Sequence, residues 1–144
     1  MRNEQTQVVK APREQVFKTW TDYEAWPRFS TFFTRVRVVE RAGNTVHLDQ
    51  EIKVMGLRAK RTEKHTLTPP EQIQVEGKAM GSTNTTLWMF EPVPGATQMT
   101  AVVETQLIGV AKVFGPLFRR YLQAALREWM QAFAKYVEVQ KTEP

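Results

Sequence analysis

The chain has 144 residues, a formal net charge of +5, and 42% hydrophobic and 24% charged residues, values of an ordinary globular protein that exclude a disordered or collagen-like chain. It contains no cysteine, which excludes disulfides, thiolate zinc sites and cysteine nucleophiles. The stretch from Met1 to Gln7 is polar and no window approaches the ~20 apolar residues of a membrane span, so the expectation is a cytoplasmic protein folding as one domain over residues 1–144.

Gln5 to Lys10 reads as a first strand. Pro12 stands where a helix starts and Glu14 falls in its first turn, where the helix dipole favours an acid. Val16, Phe17 and Trp20 then form an apolar stripe at helical spacing. Asp22 is placed to cap a second short helix, Tyr23 to Trp26, which Pro27 closes because the residue before a proline avoids the helical region. Phe29, Phe32 and Phe33 follow; they either pack beneath the next strand or form an apolar rim through which a lipid-like ligand enters. Six further strands are predicted over Thr34–Arg41, Thr45–Lys53, Leu57–Thr68, Gln72–Ala79, Thr83–Glu91 and Gln98–Ile108. Gly43-Asn44, Met55-Gly56, Pro69-Pro70, Gly81-Ser82 and Pro94-Gly95 fill the gaps, and such short turns predict an antiparallel meander.

A long amphipathic helix is predicted from Lys112 to Lys141, with Gly115-Pro116 marking either a bend or its true start. Phe114, Leu117, Phe118, Tyr121, Leu122, Ala125, Trp129, Phe133 and Tyr136 share one broad face. Arg119, Arg120, Gln123, Arg127, Gln131 and Lys135 lie mostly on the other. Many strands followed by one long helix predict a sheet that closes over the helix and encloses an apolar pocket.

Alternation assigns the strand faces. Val46, Leu48, Gln50 and Ile52 share one inward face, Ile73, Val75, Gly77 and Ala79 a second, and Met99, Ala101, Val103, Thr105 and Leu107 a third. The strand 57–68 differs. Arg58, Lys60, Thr62, Lys64 and Thr66 must face water, which turns Leu57, Ala59, Arg61, Glu63, His65 and Leu67 inward. Buried charge is costly unless paired, so either a bulge or sheet edge exposes Arg61, Glu63 and His65, or they form a polar cluster in an apolar pocket. Asn84, Thr86, Trp88 and Phe90 share a face, and Trp88 and Phe90 read as core ahead of ligand contacts. The residues predicted to meet a ligand are Leu48, Gln50, Arg61, Glu63, His65, Val75, Trp88, Phe90 and Val103 from the strands. To these the long helix adds Leu117, Tyr121 and Ala125, and the segment before the second strand adds Trp26, Phe29 and Phe33.

Local sequence carries a resemblance. Ala11-Pro12-Arg13-Glu14-Gln15-Val16-Phe17, then Trp20, Asp22, Tyr23 and Trp26-Pro27-Arg28-Phe29, is similar to the opening of the polyketide cyclase/dehydrase branch of the START-like, or Bet v 1-like, superfamily. Leu87-Trp88-Met89-Phe90-Glu91-Pro92 with Gly95-Ala96-Thr97 resembles that family's aromatic strand and turn. Gly115-Pro116-Leu117-Phe118-Arg119-Arg120 resembles the start of its C-terminal helix. The resemblance implies an α+β helix-grip fold, with a seven-stranded antiparallel sheet curved around the last helix and two short helices between the first two strands. It does not fix an activity, because members of the family carry lipids or quinones, bind hormones, cyclise polyketides or act on proteins.

No phosphate-cradling glycine loop, metal-ligand spacing or nucleophile elbow is present in the sequence, so neither a metal nor a cofactor is expected. The leading expectation is binding or transport of a hydrophobic small molecule by a monomer or weak homodimer. A second is a cyclase or dehydratase in which Glu63 or His65 is the base, Arg61 holds the oxyanion and Tyr121 donates a proton. A third uses the exposed Arg58, Lys60 and Lys64 for RNA, ribosome, protein or transient membrane contact. The basic residues form no long run, and DNA is not expected as a partner.

Overall fold

A computed structural model describes residues 2–79 and 81–142. Strands β1 (Arg2–Val9), β2 (Phe33–Ala42), β3 (Thr45–Val54), β4 (Leu57–Thr68), β5 (Gln72–Ala79), β6 (Ser82–Val93) and β7 (Ala96–Leu107) form one sheet in the order β1-β7-β6-β5-β4-β3-β2. Every neighbouring pair is antiparallel. Helix α1 (Arg13–Trp20) and a 3-10 helix (Tyr23–Arg28) carry the chain from β1 to β2, and helix α2 (Gly115–Thr142) follows β7. The architecture is the α+β helix grip that the resemblance implies.

The meander from β2 to β7 follows the predicted turns, while β1 crosses to pair with β7 from Arg2↔Glu104 to Val9↔Thr97. That ladder extends β1 three residues before the expected Gln5. Register shifts between Phe33 and Arg35 and between Val38 and Glu40 bend β2 at the opposite edge.

Three local expectations are corrected. Asp22 occupies the N-cap position of the 3-10 helix, but its side chain makes no capping hydrogen bond. Pro27 does not end that helix. Two tight turns lie back to back, with Ala25 N–H donating to the Asp22 carbonyl and Phe29 N–H to that of Trp26; Pro27 follows the first residue of the second turn, a position that needs no donor and suits its fixed φ. The long helix begins at Gly115, and the preceding Gly109–Phe114 is a 3-10 turn, so Gly115-Pro116 is the true start, where a missing N–H costs nothing. The side chain of Phe114, assigned to the inner helix face by its spacing, lies outside the described residues.

The core lies between the concave face of the sheet and α2, and aromatic rings dominate it. Trp20 sits against Trp26, Trp88, Phe90 and Trp129 with centroids 5.0–6.4 Å apart. Trp26 donates its Nε1–H to the Trp20 carbonyl at 2.9 Å, and Trp129 stacks on Phe133 with rings nearly parallel. Ser30 Oγ accepts from the N–H groups of Phe32 and Phe33 and so fixes how the chain enters β2.

Candidate functional site

Strict alternation on β4 turns Arg61, Glu63 and His65 toward α2. The register sets Arg61 between Gln50 and Ala79, Glu63 between Leu48 and Gly77, and His65 between Val46 and Val75. Glu63 is the hub of the group. Its Oε2 lies 2.8 Å from Arg61 Nη2, and its Oε1 accepts from Gln50 Nε2 at 2.8 Å and His65 Nε2 at 2.9 Å. His65 is fully buried, and its Nδ1 lies 3.0 Å from the Tyr23 hydroxyl. A carboxylate only accepts, so His65 Nε2 carries a proton, and Nδ1 meets the Tyr23 hydroxyl as acceptor when the ring is neutral and as donor when it is charged.

Burial alone would push the Glu63 carboxyl up. The charge of Arg61, the hydrogen bond and charge of His65 and the hydrogen bond of Gln50 outweigh it and lower the group from 4.5 to about 2. Burial pushes the Tyr23 phenol up, against the charge of Arg41 and aided by that of Glu63, so it stays a hydroxyl. The bulge or sheet-edge alternative for this strand is thereby set aside, because the ionic group is buried and paired. Leu57 alone departs from the inward pattern: it is the first residue of β4, directly after the β3–β4 turn, and is exposed.

Beside this cluster lies a cavity of about 140 Å³. Buried Trp20, His65, Trp88 and Trp129 wall it on one side, and it comes to the surface beside half-buried Asn3, Ser82 and Phe118 and exposed Arg119. Three donors of the lining residues, Trp20 Nε1, Trp129 Nε1 and Arg61 Nε, are buried without a hydrogen-bond partner among the described residues. Buried donors are rarely left so.

Of the residues singled out from sequence, Arg61, Glu63, His65, Val75, Trp88 and Val103 line the cavity from the sheet. Trp26 and Phe33 line it from the segment before and into β2, and Ala125 from α2. The others lie elsewhere. Leu48 and Phe90 are fully buried in the core, and Gln50 reaches the site only through Glu63. Phe29 packs on Trp129, Phe133 and Tyr136 of α2, so it is neither beneath β2 nor at a rim. Leu117 faces solvent. Tyr121 spends its hydroxyl on the Lys53 carbonyl at 2.9 Å, tying α2 to the end of β3.

The helix phase explains Leu117, while Tyr121, three residues from Phe118 and four from Ala125, stands at the edge of the same face with its hydroxyl engaged by Lys53. Phe118, Leu122, Ala125, Leu126 and Trp129 form the stripe that meets the cavity, and a shift of one residue rotates a side chain by about 100°. Trp20, Trp129 and Asn84 belong to the lining and were not among the predicted contacts. Gly77 is a further feature: a Cβ there would stand 2.5 Å from Asn84 Oδ1 and 3.2 Å from Glu63 Oε2, so its bare backbone makes room for both. The signal was its place opposite Glu63 in the register. Among the described residues no group of three or more His, Cys, Asp or Glu is arranged to hold a metal ion.

Residues 9–134 match the family model described as polyketide cyclase/dehydrase and lipid transport. Among solved structures, a protein of Thermus thermophilus superposes with a TM-score of 0.90 at 14% identity, over 99% of this chain and 100% of that one. A START superfamily protein from Mycobacterium smegmatis gives 0.84 at 17% identity, over 96% and 98%. The Zhui aromatase/cyclase from Streptomyces sp. R1128 gives 0.83 at 16% identity, over 96% and 93%. At these identities the likeness is one of fold. No curated protein matches the sequence.

Proposed function

The chain belongs to the polyketide cyclase/dehydrase and lipid transport family, and on that basis we propose that it binds a small aromatic molecule bearing acceptor oxygens, of the quinone or phenolic polyketide kind, between the sheet and α2. The observation that carries this reading is the trio of unpaired donors, Trp20 Nε1, Trp129 Nε1 and Arg61 Nε, in a lining otherwise largely apolar. An apolar enclosure with a few convergent polar groups is the usual form of a small-molecule site. A cavity of about 140 Å³ matches the size known to take one benzene-like ring. The ring of a guest therefore fits inside, and any longer tail leaves past Phe118 and Arg119.

A guest of about ten non-hydrogen atoms at ~0.7 kcal/mol each binds with a dissociation constant near 10 μM. Calorimetric titration with 1,4-naphthoquinone and with naphthalene tests the reading. The quinone binds more tightly, and Trp129→Phe, which keeps an aromatic ring but removes the donor, weakens it about fivefold, the worth of a ~1 kcal/mol hydrogen bond. Failure of both probes to bind at several hundred micromolar refutes the proposal.

A second reading, a cyclase or dehydratase, draws on the Tyr23–His65–Glu63 chain at the cavity wall. Glu63 itself is a poor base at neutral pH, since its carboxyl is held at about 2 and a general base works best near the operating pH. Its role would be to orient His65. Loss of turnover in Glu63→Gln with retained guest affinity supports this reading; unchanged turnover removes it.

A further inference from the structure

The end of the molecule where the cavity opens has a composition unlike the rest. Of the eight large apolar side chains exposed among the described residues, five lie there: Met55, Leu57, Ile108, Val113 and Leu117. The elements that carry them converge. Tyr121 of α2 bonds to the Lys53 carbonyl at the end of β3, Ile108 N–H donates to the Gly81 carbonyl, and Gly115 lies against Leu107. Residues 52–62 and 105–127 contain no aspartate or glutamate, and Lys53, Arg58, Lys112, Arg119 and Arg120 are exposed on them. The nearest acid on β3, Glu51, sits back from the tip and is occupied by Thr34 at 2.9 Å and Arg58 at 3.9 Å.

The β3–β4 turn adds an independent observation. Val54 pairs with Leu57 across two turn residues, Met55 at φ 51 and Gly56 at φ 81. A turn with both central residues left-handed favours Asn-Gly, and a methionine there is held where its Cβ crowds the backbone. The turn thus accepts local strain to hold an exposed thioether chain at the tip. Stability does not explain that choice, whereas insertion into an apolar medium does.

We propose that this end docks on an anionic lipid bilayer, with Met55, Leu57, Val113 and Leu117 entering the interface and the surrounding basic residues meeting phosphate head groups. Scattered exposed leucines need no explanation, but a cluster of them ringed by like charge marks an interaction surface. No helix among the described residues is long and apolar enough to cross a membrane, so the contact is peripheral. The docked pose presents the cavity mouth, with Phe118 and Arg119 at its edge, to the bilayer. Exchange of a guest with the membrane rests on the binding reading above; the docking does not.

Co-sedimentation of the full chain with phosphatidylcholine vesicles, with and without phosphatidylglycerol, tests the docking. Binding is expected only to the anionic vesicles and is expected to fall with added salt. Each basic residue near the surface contributes about fivefold, so Lys112→Glu combined with Arg120→Glu lowers the partition at least tenfold. Met55→Asn lowers it severalfold while raising the melting temperature, because asparagine suits the left-handed position; a folding defect therefore cannot mimic the loss. Naphthoquinone affinity stays unchanged in these variants, which separates failure of docking from failure of the cavity reading. No vesicle binding, binding indifferent to Met55→Asn, or salt-sensitive binding to RNA in place of vesicles overturns the proposal.

Discussion

Replacing Arg61 with methionine keeps most of its length and removes the charge that offsets Glu63. Glu63 is 5% and Arg61 16% exposed at the side chain, and their contact is 2.8 Å. Breaking such a pair by deleting one partner leaves a buried carboxylate poorly compensated, at about 3–5 kcal/mol for a fully buried case. Residual solvent at Arg61 places the cost near the lower end, about 3 kcal/mol. The depressed carboxyl of Glu63 has the matching sign: burial raises it, and Arg61, His65 and Gln50 together bring it down, with the charge of Arg61 the largest single cause. For a chain of this length the loss lowers the melting temperature by about 10 °C. Because the folded-state value of Glu63 is depressed, its contribution is complete above pH 4.5 and is lost as pH falls toward 2. Without Arg61 burial is less opposed, the Glu63 value rises, and the acid-side loss begins at higher pH. Thermal unfolding followed by circular dichroism from pH 3 to 8 reads both effects. A drop of under about 2 °C, with an acid limb superimposable on that of the parent, refutes the assignment of Arg61 as the main counter-charge.

Three further outcomes are expected. Tyr23→Phe leaves His65 Nδ1 without its partner and lowers stability by about 1–3 kcal/mol in urea unfolding, whereas a change below a few tenths would mean that the 3.0 Å contact contributes nothing. Gly77→Ala forces Asn84 and Glu63 apart and destabilises by about 1–3 kcal/mol, as overpacking does, with weaker naphthoquinone binding in the same titration. Leu117→Ala changes guest affinity less than twofold because the side chain faces solvent, while Leu126→Ala, on the cavity stripe, changes it severalfold; equal effects would show that the helix phase is wrong.

Strand periodicity made the polar cluster legible. Arg61, Glu63 and His65 alternate with Arg58, Lys60, Thr62 and Lys64, and only one assignment puts the wholly polar face in water and the face with Leu57, Ala59 and Leu67 inside. That argument is local and survived. Helix phase was less accessible, because Leu117 and Tyr121 are as apolar as Phe118 and Leu122, and the stripe is wide enough to include both sets. Which edge meets the sheet depends on how β3 approaches α2, through the Tyr121–Lys53 bond, and that is a tertiary fact. The link from His65 to Tyr23 spans 42 residues and depends on the two tight turns around Pro27, where the sequence pattern predicts a helix that Pro27 ends. Gly77 became meaningful only with the register opposite Glu63. Three phenylalanines close together leave Phe29 a place beneath β2 or at a rim, yet the Ser30 hydrogen bonds send Phe29 and Phe33 in different directions, and Phe29 goes to α2.

The pairing of β1 with β7 has a consequence for biosynthesis. Thr6 and Thr100 share a hydrogen-bonded contact although 94 positions separate them. At about 5–20 residues per second, the first strand leaves the ribosome roughly 5–20 s before its partner is made. During that interval β1 has no ladder, and Trp20 and Trp26 have no Trp129 to cover them. The nascent chain therefore waits as a sticky, half-built sheet, and its yield in a cell depends on translation speed and on chaperones that shield tryptophans, as much as on the stability of the finished fold.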